Sequence, residues 1–574
     1  ALTLSSPITT HGGNLYVSTG SGNVNLNSNM TLGTGRIFFK ADGSYTSGTK
    51  VLGGTLSASG DVDVNTPFTM NAGASILTDG VIRLSSTVNL NTGTGVLTLR
   101  GSAIDFTGAT LNNLSTASMR LEPADASVNM VLGDASGFAS ASTLAALPGI
   151  RNLTIGREDG TGTISVPAGG FAFNANGTLE LVNRTVNIGT VGDSTATLTN
   201  TNGNVTITSD NINIVQAVTA NGGNGKVTLR QQTAANELRL GSGLSNSSVG
   251  QINAAILAVG RADGGNLVFD SDISTTATSV HLLSGNRVEG VNGGVSASNL
   301  AVTAGGGATI SDSAFNFTTL AASLGGSSDS SITSSSADWG LGTVDGVSGL
   351  VRQTGATGAA TLTAGNTLSL NAPINFNNTA TTLNLRAETL NASAATVSNQ
   401  TLATVTMDRT GAGTLTVGGT GGAIQQASLA RFNNVSNLVI GNTARDLSVV
   451  GAVSVGVGNQ VTLQGQTVNG ITGSNTLTAT TGSMKLEAAQ GGLSLNAAVS
   501  ASAGTLSLID GAGSGIGGSG TLTASQLAVR TTGTADLDGS THQVGTLAAD
   551  VGSLTFRNGR ALIVGSVDGL TGVV

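Results

Sequence analysis

Short strands of alternating apolar and polar residues recur along this chain at a fixed step. Gly203-Asn204-Val205-Thr206-Ile207-Thr208 returns 22 residues later as Gly225-Lys226-Val227-Thr228-Leu229-Arg230. Gly482-Ser483-Met484-Lys485-Leu486-Glu487 returns at the same distance as Gly504-Thr505-Leu506-Ser507-Leu508-Ile509. The pattern also runs through residues 95–100, 413–418 and 552–556. A glycine opens each strand, and apolar residues then alternate with polar ones. Such a step marks a solenoid, in which each unit buries its apolar edge against the next. One such strand is unstable alone, so the array is the folding unit.

Composition supports that reading. The chain has 574 residues, too many for one ordinary core. Apolar residues make up 39%, charged residues 9% and aromatics 3%, with 85 Gly. Disordered chains are poor in apolar residues and rich in charge, whereas Val, Leu and Ile here sit in ordered alternation. Period-2 runs of four to six residues, bounded by Gly, Asn, Asp and Ser, are strand-and-turn signals. Few long amphipathic helices are readable.

Two larger blocks repeat above the single coil. The first occupies residues 119–166, 227–269 and 405–450, carrying Leu153-Thr154-Ile155-Gly156-Arg157, Leu257-Ala258-Val259-Gly260-Arg261 and Leu438-Val439-Ile440-Gly441. The second occupies 297–350 and 524–574. It pairs Leu300-Ala301-Val302, Leu320-Ala321-Ala322 and Val344-Asp345-Gly346-Val347 with Leu527-Ala528-Val529, Leu547-Ala548-Ala549 and Val567-Asp568-Gly569-Leu570. The expected fold is all-β: a right-handed parallel β-helix of roughly 22 residues per coil. Residues 1–574 read as a single continuous shaft of about 25 coils, on the order of 120 Å long, excerpted from a longer protein. The Ser-rich segment within 323–340 breaks the pattern and is expected as an excursion loop.

The ordered succession of these blocks resembles the central repeats of two-partner-secretion exoproteins, the filamentous-haemagglutinin-like large adhesins of Gram-negative bacteria. The likeness covers most of residues 85–574. It implies a β-helical shaft, passed through an outer-membrane two-partner-secretion transporter and displayed at the bacterial cell surface or secreted. It also implies roles in adhesion, cell–cell contact or biofilm matrix, with an extracellular glycan or cell-surface receptor as ligand and self-association into fibres. A stalk delivering a toxin or haemolysin region outside this chain is one alternative, and a carbohydrate-active β-helix enzyme is another. The family's secretion domain carries Asn-Pro motifs. This chain has no Asn-Pro step, so either that domain lies outside it or the chain belongs to another exported β-solenoid class.

Chemistry-bearing residues are sparse. A net charge of −8 without a basic stripe argues against nucleic-acid binding. The absence of Cys removes disulfides and thiolate metal sites. No apolar run is long enough for a transmembrane helix, so the chain is not expected to span a membrane. His11, His281 and His542 stand one to a repeat, which predicts surface or turn positions rather than a metal site. Arg157-Glu158-Asp159-Gly160 and Arg261-Ala262-Asp263-Gly264 recur with the coil, which predicts turns whose Arg pairs with a neighbouring coil. Asp61-Val62-Asp63 and Asp270-Ser271-Asp272 present paired carboxylates, fewer than the oxygens Ca2+ prefers. No cofactor or metal is expected, a Ca2+ contact being the residual alternative. Acids, bases and cations do not converge as catalysis requires, so no enzyme is expected. Trp339, beside Asp338, is the candidate binding residue. An exposed aromatic in a loop would stack on a sugar, and a Trp packed on the shaft is the alternative.

Overall fold

The computed structural model describes residues 2–17, 23–39, 50–134, 137–138, 140–189 and 192–574. It is all-β, with 52% strand and 4% helix, and its parallel sheets stack as a β-solenoid of about 22 turns with roughly 23 residues per turn. The chain divides into two compact units, Ala1–Val280 and His281–Val574, where the sequence suggests one shaft. Among the described residues no helix is long and apolar enough to cross a membrane.

The 22-residue step becomes strand register. Val205 stacks on Val227 and Ile207 on Leu229; Met484 stacks on Leu506 and Leu486 on Leu508. Inward positions form continuous ladders. One in the first unit runs Leu97, Met119, Leu153, Leu179, Val205, Val227, Leu257, and every member is buried. Each such side chain contributes about 1.5–3 kcal/mol of burial. Outward positions carry Asn, Thr and Ser, and their amides bridge coils, as in Asn112 Nδ2 donating to Asn89 Oδ1 at 2.8 Å.

The first repeated block proves to be a coil carrying a short helix. These helices are α1 (Ala141–Ala145), α2 (Asn246–Val249) and α3 (Gln426–Leu429). The helix-bearing coils are longer than 22 residues: Asn152 follows its stacking neighbour Ser118 by 34, and Asn437 follows Thr404 by 33. Ser140 and Ser245 cap α1 and α2 by accepting the Thr143 and Ser248 amides.

The third residue of each helix buries a hydroxyl against the preceding coil. Thr143 Oγ1 donates to Ile104 O at 2.6 Å. Ser248 Oγ accepts from Ile214 N at 3.3 Å. Ser428 Oγ accepts from Ala392 N at 2.9 Å. The helix interrupts one sheet, and the hydroxyl satisfies a strand group that has lost its neighbour. Thr143→Val keeps the shape but leaves the Ile104 carbonyl unpaired. It is expected to cost about 1–3 kcal/mol in urea denaturation, with Thr143→Ser nearer wild type. Equal losses for both would show that the hydroxyl carries no weight.

The second block proves to be a coil with an inserted antiparallel hairpin. Thr343–Val344 pairs with Val347–Ser348, and Ser566–Val567 pairs with Leu570–Thr571. The turn residues Asp345 and Gly346 have φ of 45° and 81°, and Asp568 and Gly569 have 50° and 76°. Positive φ at both central residues is the tight hairpin turn that Asp-Gly favours. Each hairpin covers outward alanines of the parallel sheet: Val344 packs on Ala301 and Ala321, and Val567 on Ala528 and Ala548. This explains why Leu-Ala pairs accompany the Val-Asp-Gly motif, because only a methyl leaves room for the hairpin. The expected excursion at 323–340 is overturned. Ser330–Thr333 and Trp339–Leu341 are regular strands, paired parallel with the coils on either side. Ile332 points inward while Ser331 and Thr333 remain outward, and the buried Ser330 and Ser334 place their hydroxyls on the Ala308 amide and the Phe317 backbone, so the serines are accommodated within regular coils.

Candidate functional site

The structure buries Trp339. It is 3% exposed, its ring meets Phe317 edge-on at 5.4 Å, and its indole Nε1 donates to Thr363 O at 3.1 Å. It fills the interior of its coil, stacked on Leu368, because an aromatic with its one polar atom satisfied is well placed in a core. The exposed stacking platform is therefore corrected to the packed alternative. Asp338 does lie at the surface. Its Oδ1 accepts from Asn366 Nδ2 at 2.8 Å and Thr367 N at 2.9 Å, and the bonds from Thr367 hold its carboxyl below the usual range. Both residues border a shallow groove of about 490 Å3 that also includes Thr319, Asn366 and Ser369.

The recurring arginines tie coils together, as expected. Arg157 Nη1 donates to Pro123 O and Ala124 O at 3.2 and 2.6 Å. Arg261 Nη1 donates to Gln231 O and Gln232 O, each at 3.0 Å. The other edge of each guanidinium grips its own turn's Asp, with Arg157 Nη2 to Asp159 at 2.6 Å and Arg261 Nη2 to Asp263 at 2.9 Å. Those bonds hold both carboxyls below their ordinary range. The third copy places Arg445 four residues beyond Gly441, and its Nη1 meets Arg409 O and Gly411 O. Alignment of the motif alone misses this equivalence, because the arginine's sequence position shifts while its first carbonyl partner, Pro123, Gln231 or Arg409, keeps its place in the coil.

The carboxylate pairs are already engaged. Asp61 and Asp63 share one face, as alternation requires, but both bind Arg83, at 2.9 and 3.1 Å, and both face Arg36. Burial raises the Asp61 pKa, and the Arg83 bond with the neighbouring positive charges outweighs it, leaving the carboxyl below normal. Asp270 binds Arg239 Nη1 at 2.6 Å and Ser242. It sits in a bend after Leu267–Phe269, not in a strand. Among the described residues no group of three or more His, Asp or Glu is placed to hold a metal ion.

Two histidines overturn the surface expectation. His281 is buried, with Nδ1 2.7 Å from Asp345 Oδ2 and Nε2 3.0 Å from Thr303 Oγ1, so it latches the first hairpin. In the second hairpin Ser507 and Arg530 hold Asp568 instead. His542 is fully buried; its Nδ1 accepts from Leu522 N at 3.1 Å, and its ring lies 5.2 Å from Phe556. Desolvation pushes its pKa down, against a weaker pull from the Leu537 backbone. The unfolded chain then takes up a proton at the ordinary value near 6.5 that the folded chain refuses. Stability is full above that pH and falls as pH drops through it toward the lowered folded value. His542→Asn keeps an acceptor and removes the titration. Urea midpoints at pH 7.5 and 5.5 are expected to differ less for the variant than for wild type, and equal differences would assign the pH dependence elsewhere.

Across these features, the recurring chemistry joins one coil to the next. Exposed grooves with polar side chains in their lining lie at Asp338 and around Asn213. Comparison with protein families, curated proteins and solved structures finds no match for the chain.

Proposed function

We propose that this chain is a shaft segment of a secreted or surface-displayed bacterial adhesin, exported by a two-partner-secretion transporter and acting in adhesion, cell–cell contact or biofilm matrix. One observation carries the reading: what repeats in the sequence is what fastens coils. Arg157, Arg261 and Arg445 each tie down a pair of backbone carbonyls in the preceding coil, and both hairpins cover alanine patches. A chain that spends its recurring charges on its own stacking is suited to present a long polar surface, and that surface of Asn, Ser and Thr can engage glycans or a second copy. The step from solenoid to adhesion is one of analogy.

Beads coated with the purified chain test it. They are expected to adhere to cultured epithelial cells or to one another, in proportion to coating density and in competition with free chain. Beads that do neither, together with release of reducing sugar from polysaccharide by the free chain, would replace the adhesin with the enzyme alternative.

A further inference from the structure

Within the first unit, the sheet built from Met130–Val131, Thr163–Ser165, Thr185–Ile188 and Asn211–Ile214 stops at its last strand. The next coil sends Leu238–Leu240 forward to pair with Leu267–Phe269 and places α2 after it. The gap between Asn211–Ile214 and Leu238–Leu240 is a groove of about 460 Å3.

Its chemistry follows from strand alternation. Asn211 N donates to Arg184 O, so the peptide groups of Asn211 and Asn213 point to the preceding strand and those of Ile212 point into the groove. Ser248 takes Ile214 N and leaves Ile212 N–H and C=O as an open donor and acceptor. Outward from this edge stand the amides of Asn187, Asn211 and Asn213, with Asn187 and Asn213 in register. Gln231 borders the same groove. It is 4% exposed, its Nε2 donates to Asn236 O at 3.2 Å, and its Oε1 has no partner among the described residues.

Charge narrows the ligand. Arg239 is the cation of the groove, and it is spent, with Nε 2.7 Å from Glu237 and Nη1 2.6 Å from Asp270. Asp210 and Glu237 also line the groove, so an incoming anion would meet like charge. A fitting ligand is uncharged, offers hydroxyl donors and acceptors at close spacing to amides and an open peptide group, and brings C–H surface to Ile212 and Leu238. We propose that this groove binds an uncharged oligosaccharide. The proposal deepens the adhesin reading and rests on it.

The test is an array of uncharged tetrasaccharides (β-1,4-glucose, β-1,4-N-acetylglucosamine, α-1,4-glucose and β-1,4-mannose) printed beside sulfated and uronate chains, probed with the labelled full chain. Asn213→Trp fills the groove from an exposed strand position. Asn91→Trp makes the same change on another exposed strand and is the control, and circular dichroism checks that both fold. The expected result is retention of at least one uncharged saccharide, weakened about tenfold or more by Asn213→Trp and unchanged by Asn91→Trp. If Asn213→Trp misfolds, Asn187→Trp is read in its place. Three results overturn the proposal: no uncharged saccharide retained, retention only of anionic chains, or retention indifferent to the groove variants. Beads that adhere to cells while no uncharged saccharide binds remove the groove assignment and leave the adhesin reading standing. Beads that do not adhere remove the adhesin reading, while saccharide retention lost in Asn213→Trp would still establish the groove as a binding site.

Discussion

Gly349→Ala is expected to destabilise the second unit by about 3 kcal/mol or more, while Gly572→Ala, its counterpart in the other hairpin, costs about 1–2 kcal/mol. Both glycines close a hairpin with positive φ, 63° and 77°, so both alanines carry the left-handed penalty. Their surroundings differ. A methyl on Gly349 would overlap the backbone of Pro373, whereas one on Gly572 meets open space. The Pro373 carbonyl accepts from Leu350 N at 2.9 Å, so moving it also disturbs the stacking bond that resumes the coil. Hydrogen exchange reads the two sites separately: the Ala322 amide donates to Gly349 O at 2.7 Å and the Ala549 amide to Gly572 O at 2.9 Å. Similar losses of protection at both would show that the αL strain alone matters and that the Pro373 contact does not.

Trp339→Ala is expected to cost about 3–5 kcal/mol, the loss typical of a large buried aromatic. Trp339→Phe keeps most of the volume and loses the indole bond to Thr363 O, about 1 kcal/mol. The single Trp of the chain is its own reporter. Its emission should be blue-shifted, resistant to iodide and red-shifted on unfolding. A change of less than about 0.5 kcal/mol for Trp339→Ala would place the ring outside the core and reopen a surface role.

The sequence makes the ladder legible because period-2 alternation and a constant step are direct consequences of stacking. Val205 over Val227 can be read from spacing alone. The repeated blocks are also visible as repeats, but their shapes are not. Asp345-Gly346 is a strong hairpin signal, yet it lies among many Gly-rich turns, and only the coil geometry shows Ala301 and Ala321 waiting beneath it. The helices are four or five residues long, too short for helical periodicity, and the capping cues are Ser140 three residues before Thr143 and Ser245 three before Ser248. The Ser-rich run from Ser323 to Ser336 reads as a polar interruption around Trp339, whereas the solenoid absorbs it: Ile332 points in, and the inward Ser330 and Ser334 satisfy backbone groups of the preceding coil. The burial of His281 and His542 is not legible, because a solitary histidine carries no sequence mark of its burial. Arg352 is another such case. It is fully buried on an inward position, with Nη2 donating to Gly358 O at 2.5 Å, and desolvation lowers its pKa. A charged residue at the end of Leu350-Val351-Arg352 reads as a strand terminus leaving the core, and tertiary packing decides otherwise.

The helix-bearing coils have a mechanical consequence. Where α1, α2 or α3 takes the place of a strand, a turn is joined to its predecessor by fewer backbone bonds, and a hydroxyl, helped at α3 by the Leu390 amide donating to Ala423 O, bridges what a ladder holds elsewhere. Under tension such turns should yield before their neighbours. Each would release roughly 30–34 residues, about 100–120 Å of slack, while the continuous stretches on either side hold. A chain stretched in an optical trap should therefore lengthen first in increments of that size, absorbing load in graded steps as a series of fuses. Yielding in one event, or in increments of a plain 22-residue coil, would show that the helices do not set the breaking points.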